Sequence, residues 1–63
     1  MRITELRTRI SAAFPDPTTY SQDIVHSELG GITVNQALEV GMEAGDIWRG
    51  ILAHNPEMAP KFR

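Results

Sequence analysis

The stretch Thr33–Leu52, TVNQALEVGMEAGDIWRGIL, constrains the fold more than any other part of the chain. It reads as two short helices with a tight turn at Gly41. Thr33 is a good N-cap, and Gln36 three residues on completes a capping box. Ile32 and Ala37 can staple that helix start. Gly41 takes the left-handed turn that a residue without Cβ tolerates, and Met42 drops back toward the core. The second helix begins near Glu43 or Ala44, with Asp46 set against its positive end. Ile47, Trp48, Ile51 and Leu52 form one apolar stripe, and Asn55-Pro56 stops the helix.

A chain of 63 residues makes one domain, residues 1–63. At that size only about 60% of the unfolded surface is buried on folding, so stability is marginal. There is no Cys to supply a disulfide or a thiolate metal site. No apolar run reaches membrane-spanning length, and the arginine-bearing N-terminus does not resemble a signal peptide. The expected location is the cytoplasm. A net charge of −2 argues mildly against nucleic acid. The ends are basic (Arg2, Arg7, Arg9, then Lys61 and Arg63) and the middle is acidic. The simpler reading is that these are solvated faces lying near one another. The functional reading is a basic patch built from both termini.

Periodicity fills in the rest. Ile3, Leu6, Ile10 and Phe14 define a first helix from about Thr4 to Phe14, ended by Pro15-Asp16-Pro17. A second helix starts near Thr19, with Gln22 closing a possible capping box and Tyr20, Ile24, Val25 and Leu29 as its apolar face. Leu29-Gly30-Gly31-Ile32 is a helix stop. Asn55 caps a last turn through Met58, with Phe62 as a core anchor. No strand-like alternation of useful length is present. The fold class is therefore all-α, a compact orthogonal cluster of about four short helices with a helix-turn-helix-like pair at 33–54. Leu6, Ile10, Phe14, Ile24, Leu29, Leu38, Ile47, Trp48 and Ile51 are the expected core.

The helix-turn-helix spacing is met by Ala37, Gly41 and Ile47. It is a better signature of the shape than of DNA binding. A recognition helix must reach phosphates and base edges. Of the outward positions expected here, Gly45, Asp46, Arg49, Gly50, Ala53 and His54, only Arg49 is a strong base reader, and Glu43 and Asp46 would repel phosphate. His26 and His54 have no metal-ligand spacing and are expected on the surface. Ser11, Ser21 and Ser27 lack a nucleophile-elbow context, and Gly30-Gly31 is no phosphate loop. Neither a cofactor nor a metal is expected, and the chain reads as non-enzymatic. Trp48 is expected in the core, with a partner-facing anchor as the alternative.

The opening Met-Arg-Ile-Thr-Glu-Leu, the Glu28-Leu29-Gly30-Gly31 turn before Thr33, the Ala37-Leu38 to Gly41 step and Ile47-Trp48-Arg49, in that order, resemble the small actinobacterial family catalogued as domain of unknown function 3046. The resemblance covers nearly the whole chain. The family's second helix usually carries Trp where Tyr20 stands, and Asp-Pro where this chain has Glu43-Ala44. That second departure implies a fourth helix without a strong cap. The resemblance implies an actinobacterial cytoplasmic protein with no established activity, and it supplies no catalytic residue. The expected function is a small non-enzymatic helical domain that binds a protein or acts as a regulatory module. The expected face is Arg49, Gly50, Ala53 and His54. The alternative is a helix-turn-helix DNA-binding module.

Overall fold

The computed structural model describes residues 1–58. Four helices carry the fold: α1 (Ile3–Ala13), α2 (Pro17–Asp23), α3 (Val34–Glu39) and α4 (Ala44–His54). Between α2 and α3 lies a two-residue antiparallel ladder, β1 (Val25–His26) with β2 (Ile32–Thr33), in the register Val25↔Thr33 and His26↔Ile32. A 3₁₀ turn, Ser27–Leu29, joins the two strands, and another, Pro56–Met58, follows α4. The fold is largely all-α.

The helix pair is built as its sequence dictates. Gln36 N–H donates to Thr33 Oγ1 at 3.2 Å, and Thr33 N–H donates to Gln36 Oε1 at 3.0 Å, a reciprocal capping box. Gly41 closes α3 at φ +84°. Met42 N–H reaches back to the Ala37 carbonyl and Gly41 N–H to that of Leu38, the two bonds of a Schellman motif. Met42 packs half-buried on the core as a result. The weak start expected for α4 is corrected. The Glu43 carboxylate accepts from Gly45 N–H at 3.1 Å and serves as the cap.

The second helix departs from expectation. Asp16 caps it, accepting from Thr19 N–H at 3.2 Å and from Thr19 Oγ1 at 2.8 Å, so Thr19 lies inside the helix and is not its cap. Pro17 takes the first helical position, where a missing N–H costs nothing. The helix ends at Asp23. Ile24 and Val25 leave it as extended chain and stand exposed, Ile24 at 37%. Leu29 does reach the core, but from the 3₁₀ turn.

The core comprises Leu6, Ile10, Leu29, Val34, Ala37, Ala44, Ile47, Trp48 and Ile51. Phe14, Tyr20, Leu38 and Leu52 pack half-buried around it. Six of the nine expected core positions are thus buried, and Phe14 and Leu38 flank them. Ile3 is 53% exposed, off the buried stripe of α1. Arg9 lies over the Trp48 ring at 5.7 Å, a cation–π contact that ties α1 to α4. Phe62, Lys61 and Arg63 lie outside the described residues, and so does the patch that would join both termini.

Candidate functional site

The face expected on α4 divides into two. Arg49 and Ala53 are exposed, and Arg49 forms an ion pair with Asp46 one turn back. Gly50 is buried, which corrects its placement on the outward face. A Cβ at Gly50 would lie 2.5 Å from Leu29 Cδ2 and 3.2 Å from its Cγ. The glycine therefore lets α4 seat directly on the 3₁₀ turn. His54 leans the same way, with Nδ1 3.1 Å from Glu28 Oε1.

That seating builds a polar cluster across α2, β1, the 3₁₀ turn and α4. His26 lies at its centre, fully buried, which corrects the expectation of a surface histidine. Its Nε2 is 2.5 Å from the Tyr20 hydroxyl. Asn55 Nδ2 donates to that same hydroxyl at 3.0 Å and to the Ile51 carbonyl at 2.9 Å. Tyr20 O–H thus has one donor on it and is free to donate to Nε2. That arrangement assigns the His26 proton to Nδ1. Among the described residues Nδ1 finds no hydrogen-bond partner. The His26 and His54 rings lie 4.6 Å apart between centroids, and Tyr20 meets His26 edge-on at 5.3 Å. On its other side Tyr20 stacks on Phe14 at 3.7 Å.

Burial holds the His26 pKa below its ordinary value, and the neighbouring His54 pushes it the same way. Glu28 and the Ile24 carbonyl oppose them more weakly. Burial also raises the Tyr20 hydroxyl, against the bond from Asn55. The Glu28 carboxyl is lowered, first by a backbone amide and then by His54. The cluster consequently holds a neutral imidazole between a neutral phenol and an exposed carboxylate–imidazole pair. Among the described residues no group of His, Cys, Asp and Glu could hold a metal ion. Two clefts open along α1, one lined by Arg7, Ile10, Ser11, Pro17, Thr18 and Ser21 and one by Thr4, Glu5, Thr8 and Arg9. Neither touches an imidazole.

Sequence reasoning missed this cluster because Tyr20, His26, His54 and Asn55 share no periodicity. One signal was available. Ile24-Val25 and Ile32-Thr33 are β-rich pairs flanking a Gly30-Gly31 turn, the pattern of a short hairpin. Strand alternation then turns His26 inward opposite the exposed Val25.

The described chain is thus a small, largely α-helical domain whose helices are joined by a capped turn and a buried polar lock. It belongs to the family described as protein of unknown function (DUF3046), whose model matches residues 1–56. No curated protein and no solved structure matches the chain. No described helix is long and apolar enough to cross a membrane.

Proposed function

We propose that this domain is non-enzymatic and works by binding another protein along the exposed line of α4. One observation carries the reading. Asp46, Arg49 and Ala53 follow one another at helical spacing on the solvent side. Val40, at the α3–α4 turn, stands 72% exposed. The Met1 ammonium, 3.5 Å from Glu43, brings the start of α1 to this end of the molecule, with Met1 and Ile3 also exposed. Apolar side chains beside a balanced acid–base pair suit a protein surface. His54 flanks the line, and Gly50 supports it from beneath.

The same residues weigh against duplex DNA. Arg49, the strongest candidate base reader, is engaged by Asp46, and Glu43 caps the leading end of α4. Binding to phosphates would meet both carboxylates first.

The test is capture from the native extract, with and without nuclease, using wild type, Val40→Asp and Ala53→Asp. Both positions are exposed, so the variants should fold. A nuclease-resistant partner lost from either variant is the expected result. A partner lost on nuclease treatment, together with selection of a defined duplex that depends on Arg49, would make the protein a DNA-binding helix-turn-helix instead. Capture indifferent to both variants would remove the α4 line from the interface.

A further inference from the structure

The joint between α1 and α2 carries a second feature, on residues that neither the polar lock nor the α4 line uses. Arg7 and Ser11 lie four residues apart on α1, and Thr18 and Ser21 three apart on α2, so each pair shares a helix face. The two faces meet across a cleft of about 200 Å³ floored by Ile10 and Pro17. Most hydroxyls nearby are engaged. Thr8 donates to the Thr4 carbonyl, Thr19 to Asp16 and Ser27 to Glu28. By contrast, among the described residues the Ser11, Thr18 and Ser21 hydroxyls make no hydrogen bond, and Arg7 makes no ion pair. Ser21 is only 4% exposed as a residue, yet its hydroxyl is not among the buried unpartnered atoms, so what accessibility it has opens onto the cleft. No carboxylate lines the cleft. The nearest acid in sequence, Asp16, is already committed to the Thr19 amide and hydroxyl.

We propose that this cleft binds a phosphoryl group, with the Arg7 guanidinium and the Ser11, Thr18 and Ser21 hydroxyls supplying donors to its oxygens. The Arg fork suits carboxylate and phosphate alike, but a phosphoryl group has a further oxygen that can take donors from the hydroxyls lining the same cleft. One cation and three hydroxyls imply modest affinity, with Kd about 1 mM for the isolated group. The phosphoryl group can come from a small phosphate ester or from a phosphorylated side chain of another protein. The site is independent of the α4 line, so either reading can fail alone.

The test is a two-dimensional amide and Arg side-chain NMR titration of the full chain. Inorganic phosphate is the first probe, with acetate and chloride at matched ionic strength as controls. Saturable shifts confined to Arg7, Ser11, Thr18 and Ser21, absent with acetate, are expected. Arg7→Gln should weaken binding about tenfold, and Arg7→Lys should restore part of it. Arg7 is exposed, so neither change threatens the fold, and Ser11→Ala provides a second variant at an exposed position. Glycerol phosphate and a short phosphoserine peptide then distinguish the sources, and preference for one identifies it. Shifts that fail to saturate, that spread equally to Arg2, Arg9 and Arg49, that acetate reproduces, or that survive Arg7→Gln would overturn the proposal.

Discussion

At Gly50 two residue-scale effects oppose each other, and their magnitudes decide the sign. Glycine inside a helix costs roughly 1 kcal/mol relative to alanine. Adding a Cβ should therefore stabilise α4 if space allowed. Space does not allow it, because the new atom would fall 2.5 Å from Leu29 Cδ2 and 3.2 Å from Cγ. Leu29 is buried, so its side chain cannot swing into solvent to make room. Overpacking of this kind costs about 1–3 kcal/mol. Gly50→Ala should consequently be destabilising by about 1 kcal/mol, measured by chemical denaturation. In a Leu29→Ala background the same change should become neutral or stabilising. A stabilising effect in the wild-type background would show that α4 does not seat on the 3₁₀ turn as described. The sequence marks Gly50 as unusual within a helix, yet its partner is 21 positions away at Leu29, and no local pattern names it.

Elements fold here through their ends. None of α2, α3 and α4 is long enough to hold alone in water, so caps and packing set their boundaries. The caps at Thr33, Glu43 and Asp16 each satisfy an otherwise orphaned N–H. Gly41 shows the opposite limit from Gly50. A Cβ there would meet nothing within 4 Å, but its φ of +84° disfavours any L side chain. Gly41→Ala should destabilise the domain by about 1 kcal/mol or more through backbone strain alone, and Gly41→Asn should cost less, because Asn tolerates this region. Equal melting temperatures for all three proteins would contradict the Schellman turn. The α3–α4 pair was legible because its determinants are local: capping residues, a glycine, and a stripe at helical spacing. The segment after α2 was not. Ile24, Val25 and Leu29 continue an apolar helical pattern, but the Gly30-Gly31 turn draws Val25–His26 against Ile32–Thr33, and tertiary pairing overrides propensity.

At the scale of the whole molecule, His26 links α2, β1 and α4, and its titration should therefore govern stability near neutrality. The groups facing it are the Tyr20 hydroxyl from α2, His54 and Asn55 from the end of α4, and Glu28 from the 3₁₀ turn. Protonating His26 would replace the acceptor that Tyr20 faces with a second donor and bury a charge beside another imidazole. Burial and His54 accordingly depress its pKa in the folded state. In the unfolded chain it returns to about 6.5. Between those two values the unfolded state binds the extra proton, so stability rises with pH. The contribution is complete above about pH 6.5 and is lost as pH falls through the folded pKa. Asp16, Glu28 and Glu43 are also lowered in the fold, but they are exposed carboxyls, and their losses belong to more acidic solution. Melting temperature should hence be level from about pH 8 to 7 and decline below about 6.5, before carboxylates titrate. His54→Gln removes the neighbouring imidazole while leaving an exposed polar side chain. Without His54 repulsion the folded His26 pKa rises toward its unfolded value, so the decline should be smaller and should end at a higher pH. The carbon-bound ring protons of His26 should titrate below the free-histidine value by NMR in wild type. A melting temperature unchanged down to pH 5, or a His26 titration at or above about 6.5, would show that the buried imidazole is not the neutral keystone of the fold.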